Sequence, residues 1–122
     1  MLLVDDDPAM LRMLEVNFRL SGFNVRTAQR GDEAVDLAIA TSPDALVLDV
    51  MMPGLDGYQV AARLRQETAL ARTPIVFLTA RTQDDDRAKG EAVGGSEFVT
   101  KPFDPAVLVD TIRRKLAELD AP

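Results

Sequence analysis

The chain has 122 residues, of which 47% are apolar, and a formal net charge of −6. This length and apolar content fit one domain with a packed core, and the acidity argues against nucleic-acid binding by this domain alone. The chain contains no cysteine and no histidine, which excludes disulfides, zinc–thiolate sites and imidazole catalysis. Any catalysis must use carboxylates, hydroxyls, lysine, backbone groups or a hard cation such as Mg²⁺ or Ca²⁺.

The sequence shows no membrane or export signal. No apolar run approaches the roughly 20 residues that span a bilayer. No charged segment precedes a long apolar one at the start of the chain, as it would in a secretory signal. Because the lack of cysteine also fits a reducing compartment, we expect a cytoplasmic protein without membrane contact.

Five short apolar runs predict strands. They lie at 2–4, 24–28, 45–49, 74–79 and 97–100. The third and fourth runs are nearly continuous in Val, Ile, Leu and Phe, which is typical of strands buried on both faces. The second run alternates between apolar and polar residues, which is typical of an edge strand.

Helical patterns follow each run. The first helix is predicted to begin at Asp7-Pro8, with Asp7 as the N-cap and Pro8 as the first helical residue, and to end at Ser21-Gly22. The others are predicted at 32–41, about 57–67, about 83–93, and from Asp104 onward. The predicted inward residues are Ala34, Val35, Ala38 and Ile39 in the second helix, Val60, Ala61 and Leu64 in the third, and Leu108, Ile112, Leu116 and Leu119 in the fifth. The fourth helix has few apolar residues and contains Gly90, so we expect it to be the loosest.

The alternation of five strands and five helices predicts the fold class. It indicates one α/β domain over 1–122, a three-layer (βα)5 arrangement with a parallel five-stranded sheet and helices on both faces. Ligands of such folds bind at the carboxyl ends of the strands, near a topological switch point.

Polar side chains follow four of the predicted strands, namely Asp5 and Asp6, Asp49, Thr79 and Lys101. Because parallel strands end at one edge of the sheet, we expect these side chains to converge there. Three carboxylates without a cation would raise one another's pKa values, and Mg²⁺ suits such a site. Together Mg²⁺ and Lys101 would balance the three negative charges. Such a crevice suits a phosphoryl group, with Asp49 as the nucleophile because it ends the most buried strand.

Other acidic and apolar residues have simpler interpretations. Asp84, Asp85 and Asp86 form a second acid triple without a preceding apolar run, which indicates a solvated helix start. Asp56 is interpreted as the cap of the third helix. Taken singly, Thr79 is an ordinary strand residue and Phe98 an ordinary core aromatic, and a core role is the default for Met51 and Met52.

Four segments in order, LLVDDDP, LVLDVMMPGLDG, IVFLTA and FVTKPF, resemble the response-regulator receiver domain of two-component signalling over essentially the whole chain. The resemblance implies a flavodoxin-like, chemotaxis-regulator-like fold with strand order 2-1-3-4-5. It implies a phosphoacceptor at Asp49, with Thr79 and Lys101 completing the catalytic set, and a switch pair formed by Thr79 and Phe98. The implied Mg²⁺ ligands are Asp5, Asp6, Asp49 and the backbone carbonyl of Met51. It also implies a small residue after the threonine, here Ala80, and a cis Lys101–Pro102 bond.

The implied function is a phosphorylation-controlled signalling switch rather than an enzyme acting on external substrates. It would take a phosphoryl group from a sensor histidine kinase or phosphotransfer protein, and would catalyse only its own phosphorylation and dephosphorylation. The face formed by the predicted fourth helix, fifth strand and fifth helix would then change for an output domain or partner protein. The same face is a candidate dimer interface.

Two other functions share parts of this pattern. A metal-dependent phosphohydrolase with an aspartyl nucleophile usually carries a second acid two residues later, where this chain has Met51, which cannot transfer a proton. An unphosphorylated interaction module on the same fold would not need the full acid set. The stretch GGSEF also departs from the Gly-Ala-Asp-Asp that is more usual before the switch aromatic. Both a stand-alone regulator and one domain of a longer protein fit the sequence.

Overall fold

The computed structural model describes residues 1–80 and 97–120. In chain order the elements are β1 (Leu2–Val4), α1 (Pro8–Leu20), β2 (Arg26–Ala28), α2 (Gly31–Thr41), β3 (Leu46–Asp49), α3 (Gly57–Leu64), a 3₁₀ turn (Thr68–Leu70), β4 (Ile75–Thr79), β5 (Glu97–Thr100) and α4 (Pro105–Asp120). The helix predicted at 83–93 and the acid triple at 84–86 lie outside the described residues. Helix α4 is therefore the fifth of the predicted helices.

The five strands form one parallel sheet in the order β2-β1-β3-β4-β5. This confirms the predicted fold class and the strand order that the resemblance implied. Strands β1, β3 and β4 occupy the centre and are buried along their whole length, whereas β2 lies at an edge, as its alternating sequence predicted. The chain reverses its winding direction between β1 and β3, so the topological switch point lies between the ends of these strands.

The sheet separates two apolar layers. Leu2 and Val4 of β1 pack in the layer that contains α2 and α3, while Leu3 packs in the layer that contains α1 and α4. Successive side chains of a strand point to opposite faces, so a continuous apolar run serves both layers. The central strands are therefore held from both sides.

The helix starts follow their capping residues. The Asp7 carboxylate accepts hydrogen bonds from the backbone N–H groups of Ala9 and Met10, and Asp104 accepts one from Ala106 N–H. Asp56 and Gln59 form a reciprocal capping box at the start of α3. The predicted capping roles of Asp7 and Asp56 are confirmed.

Three details of the prediction are wrong. Ile39 and Leu119 were expected to point inward, but they are 40% and 43% exposed. Ile39 lies beside the buried stripe of α2, and Leu119 lies in the last turn of α4, beyond the buried part of that helix. Helix α3 also ends at Leu64, earlier than predicted. Among the described residues, no helix is long and apolar enough to cross a membrane.

Candidate functional site

The first two acidic positions of the site lie on adjacent central strands. Val4 of β1 is in register with Leu48 of β3, so Asp5 and Asp49 follow side by side. Asp5 is fully buried, Asp49 is 4% exposed, and Asp6, one residue further along, is exposed to solvent. A carboxylate oxygen from each of the three acids lies within 4.8 Å of the other two. The switch point of the sheet therefore carries a compact acidic cluster.

Lys101 brings a cation to this cluster from the far side of β4. Its backbone N–H donates to the carbonyl of Thr79 at 2.8 Å, which fixes the start of the side chain at the strand ends. Its Nζ lies 3.4 Å from Asp5 Oδ2 and 3.3 Å from Asp49 Oδ1. The ammonium therefore bridges the two buried carboxylates while keeping a 25% exposed side chain. The Lys101–Pro102 peptide bond is cis.

Backbone donors orient both buried carboxylates. Asp5 Oδ1 accepts a hydrogen bond from Asp7 N–H at 2.9 Å, and Asp49 Oδ1 accepts one from Met51 N–H at 3.4 Å. Asp7 therefore has two roles, because its side chain caps α1 while its backbone holds Asp5. The Met51 N–H favours the charged form of Asp49, which partly offsets the cost of its burial.

The electrostatics of the site leave Asp49 poorly stabilised as an anion. Burial, and then repulsion by Asp5, raise its pKa from 3.8 to about 6, although Lys101 and the Met51 N–H oppose this rise. Burial alone would lower the pKa of Lys101, but its attraction to Asp49 and Asp5 outweighs burial and raises that pKa. Lys101 therefore stays charged at neutral pH, and further positive charge at the cluster would stabilise the Asp49 carboxylate.

The start of α3 presses directly against the backbone of Asp49. Gly57 N–H donates to the carbonyl of Val50 at 3.1 Å. A Cβ atom at position 57 would lie 2.5 Å from the backbone oxygen of Asp49, so only glycine allows this approach. This contact was not predicted from the sequence, where its signal is a glycine directly after the Asp56 cap.

The remaining site residues lie around this centre. Thr79 ends β4 and is 2% exposed. Phe98 on β5 is half-buried, and its ring centroid lies 5.3 Å from that of Phe77 and 6.4 Å from that of Tyr58. Met51 is 58% exposed, so the default core role is wrong for it.

Sequence similarity assigns the chain to a protein family. The family model for the response regulator receiver domain matches residues 1–113. The chain belongs to this receiver family. The resemblance noted in the sequence is therefore confirmed, and a phosphoacceptor role is the general property of such receivers.

The receiver has relatives among both curated proteins and solved structures. It is 35% identical over 119 residues to the DNA-binding dual master transcriptional regulator RpaA of Synechocystis sp., covering 98% of this chain and 49% of that protein. It is similar to the Vibrio cholerae chemotaxis protein CheY4, with a TM-score of 0.89, 33% identity and coverage of 93% of this chain and 94% of that one. It also resembles the receiver domain of sensor histidine kinase PA1611 from Pseudomonas aeruginosa, whose structure has a magnesium ion coordinated in the active-site cleft; the TM-score is 0.87, with 32% identity and 95% coverage of each chain. The receiver spans about half the length of the curated relatives it matches.

Proposed function

We propose that residues 1–122 form one receiver domain that accepts a phosphoryl group on Asp49 from the phosphohistidine of a sensor histidine kinase or phosphotransfer protein. The observation that carries this proposal is the Lys101 ammonium between Asp5 and Asp49, within a cluster of three carboxylates at the switch point of the sheet. Mg²⁺ is the proposed cofactor. The phosphoryl group is later lost to water, and the domain acts on no external substrate.

The donor atoms at the site fit magnesium. Asp5, Asp6 and Asp49 offer hard carboxylate oxygens within 4.8 Å of one another, and the backbone carbonyl of Met51 is the proposed fourth protein ligand. Exposed Asp6 leaves one side of the cluster open to solvent, which suits an ion that keeps several waters. When bound, Mg²⁺ supplies positive charge that offsets negative charge on the phosphoryl oxygens.

Asp49 is the proposed nucleophile because defined contacts orient its carboxylate. The start of α3 packs against its backbone, and its Oδ1 atom lies 3.3 Å from Lys101 Nζ and accepts a hydrogen bond from Met51 N–H. An oxygen–phosphorus bond forms at Asp49 while the phosphorus–nitrogen bond to the imidazole of the donor breaks. Lys101 is then close enough to donate to a phosphoryl oxygen, as charge-assisted phosphate contacts require.

The position of Met51 argues against repeated turnover of a phosphorylated substrate. Its exposed thioether lies two residues after the proposed nucleophile, where a phosphohydrolase of this kind uses an acid. A radiolabelled phosphodonor separates the two functions. A receiver binds about one labelled phosphoryl group per chain, whereas a phosphohydrolase rapidly releases many equivalents of phosphate per chain. Rapid release of many equivalents would overturn the proposal.

Magnesium affinity is expected to distinguish the two acid triples of the sequence. Asp6→Asn should weaken binding by about tenfold or more, because even outer partners of a metal site cost that much when removed. Asp5→Asn should also weaken binding, because Asp5 is part of the same cluster. The matched control changes Asp84, Asp85 and Asp86 together to Asn and should leave the affinity almost unchanged. Comparable losses from both triples, measured by calorimetry, would contradict the assignment.

Phosphorylation is proposed to act as a switch through Thr79 and Phe98. It replaces one carboxylate charge with about two phosphate charges and adds acceptor oxygens. Charge-assisted hydrogen bonds from Thr79 and Lys101 are worth about 1.5–3 kcal/mol each. Reversing a 1:99 population needs about 5.5 kcal/mol, so two or three such bonds supply most of it. Movement of Thr79 would alter the space beside Phe98 and so the packing of its ring.

Thr79→Ala is expected to permit phosphorylation of Asp49 but to uncouple it from this change, because the variant lacks the hydroxyl that the phosphoryl group attracts. Tyr58 is the only tyrosine of the chain, which has no tryptophan, and the Tyr58 ring lies near that of Phe98. The fluorescence of Tyr58 should change on phosphorylation in the wild type and not in this variant. The rate of hydrogen exchange across 83–93 should do the same. Thr100→Ala is the control, since Thr100 is exposed and in register with Thr79. A full response of the Thr79 variant would contradict the mechanism.

The face that carries the output is proposed to include β5 and α4. On β5, Glu97 forms ion pairs with Arg114 at 2.7 Å and Lys115 at 3.7 Å, so the two elements share a charged surface. We propose that an output domain or partner protein, or a second copy of the receiver, reads this surface. The name of RpaA describes that protein as a DNA-binding transcriptional regulator, which supports control of transcription as the output of the whole protein.

A further inference from the structure

We propose that Gly31, the first residue of α2, is a positioning residue for the metal site, although none of the proposed metal ligands lies on α2. The inference rests on the proposed magnesium function and deepens it. It concerns residues 50–56, which connect β3 to α3 and are called the site loop below. The site loop contains Met51, whose carbonyl is a proposed ligand and whose N–H contacts Asp49.

The base of the site loop is held closed. The hydrogen bond from Gly57 N–H to the Val50 carbonyl joins its two ends at 3.1 Å. A Cβ atom at position 57 would lie 2.5 Å from the backbone oxygen of Asp49, so glycine lets α3 begin directly beside the end of β3. A displacement of the loop tip must therefore be absorbed between residues 51 and 56.

The tip of the site loop rests on Gly31. A Cβ atom at position 31 would lie 2.6 Å from both the Cβ and the backbone oxygen of Leu55, and 3.1 Å from a methyl group of Val60. Real Cβ atoms essentially never approach other atoms closer than 3.0 Å. Because one of the atoms in the way belongs to the backbone, a change of rotamer cannot relieve the contact. A side chain at position 31 therefore requires α2 and the loop segment at Leu55 to move apart.

Backbone conformation does not explain the glycine at this position. Among the described residues, the glycines with positive φ are Gly22 and Gly54, and Gly31 is not one of them. It is the first residue of α2, where neither a left-handed conformation nor a helix stop requires glycine. The requirement at position 31 is therefore space for Leu55 of the site loop, and we infer that this contact helps to position the loop.

The proposal is tested first with Gly31→Ala in the full chain. We expect its Mg²⁺ dissociation constant, measured by calorimetry, to rise about tenfold, as for other residues that position metal ligands. The amide NMR signals of Met51 should also shift in the metal-free variant. Gly22→Ala is the control, since Gly22 has φ +93° and no atom within 4 Å of an added Cβ. That control should lose stability in urea without any change in magnesium affinity.

A second pair of variants changes the loop side of the contact, at Leu55. This pair tests the role of Gly31 even if Gly31→Ala does not fold. Leu55→Gly removes the Cβ that rests on Gly31 and should weaken magnesium binding, whereas Leu55→Ala keeps that atom and should bind like wild type. Equal affinity of Leu55→Gly and Leu55→Ala, or a folded Gly31→Ala with wild-type affinity, overturns the role of Gly31. Failure of the wild type itself to bind Mg²⁺ overturns the proposed function as well, so the two failures are distinguishable.

Discussion

Asp49→Asn is expected to abolish the phosphoryl labelling that the wild-type chain shows with Mg²⁺ and acetyl phosphate. The wild type should take up one phosphoryl group per chain, because Asp49 alone combines a buried carboxylate, a lysine at 3.3 Å and a place on the central strand β3. The amide of asparagine is a poor nucleophile and cannot replace the carboxylate. The measurement is the intact mass of each protein after incubation with the donor.

Asp56→Asn is the matched control for this experiment. Asp56 is a nearby carboxylate in the same connection, but its side chain caps α3 by accepting from Gln59 N–H at 2.8 Å. The control should keep full labelling, since asparagine is also a good capping residue. Labelling of Asp49→Asn to the wild-type level, or loss of labelling only in the Asp56 variant, would contradict the assignment of the nucleophile.

The second large effect is expected in the pH dependence of stability without divalent cations. The folded-state pKa of Asp49 is about 6, and the ordinary value is 3.8. Below the ordinary value both states hold the proton, and between the two values only the folded state does. The proton bound by Asp49 therefore favours folding at low pH, and this advantage is lost as the pH rises through about 6. The difference corresponds to up to about 3 kcal/mol in the free energy of unfolding.

Asp49→Asn isolates this contribution because position 49 can no longer titrate. We expect the variant to be more stable than the wild type by up to about 3 kcal/mol near pH 7.5, and the gap to close near pH 3.5. Urea unfolding with a chelator present measures both proteins across this range. A gap that is independent of pH would show that burial and Asp5 do not destabilise the Asp49 carboxylate.

Sequence patterns were sufficient to predict the architecture because the order of apolar and polar residues indicates which faces of a strand are buried. The continuous runs at 45–49 and 74–79 became fully buried central strands, and the alternating run became the edge strand β2. The order of the strands came from the resemblance to receivers, since alternation alone does not specify which strands are neighbours. Ile39 was misplaced because a helix stripe has indistinct borders, and exposure there depends on the packing of α2.

The site was predictable where chemistry follows the strand ends and not where it depends on contacts between distant segments. Parallel strands place Asp5 and Asp49 side by side, and the charge of Lys101 made it a natural partner. The close approaches of Gly31 to the site loop and of Gly57 to the Asp49 backbone could not be predicted without the three-dimensional structure. A glycine in the sequence leaves room where a Cβ atom would be, but the sequence does not indicate which segment packs there.

The most direct test of magnesium-dependent phosphoryl acceptance at Asp49 is chemical mapping of the modified residue. An aspartyl phosphate is an acyl phosphate, which borohydride reduces to homoserine. Treatment of the wild type with Mg²⁺ and acetyl phosphate, followed by borohydride and tandem mass spectrometry, should place homoserine at position 49. It should be absent when a chelator replaces Mg²⁺. Homoserine at Asp5, Asp6 or Asp56 instead, or equal modification without Mg²⁺, would contradict the account.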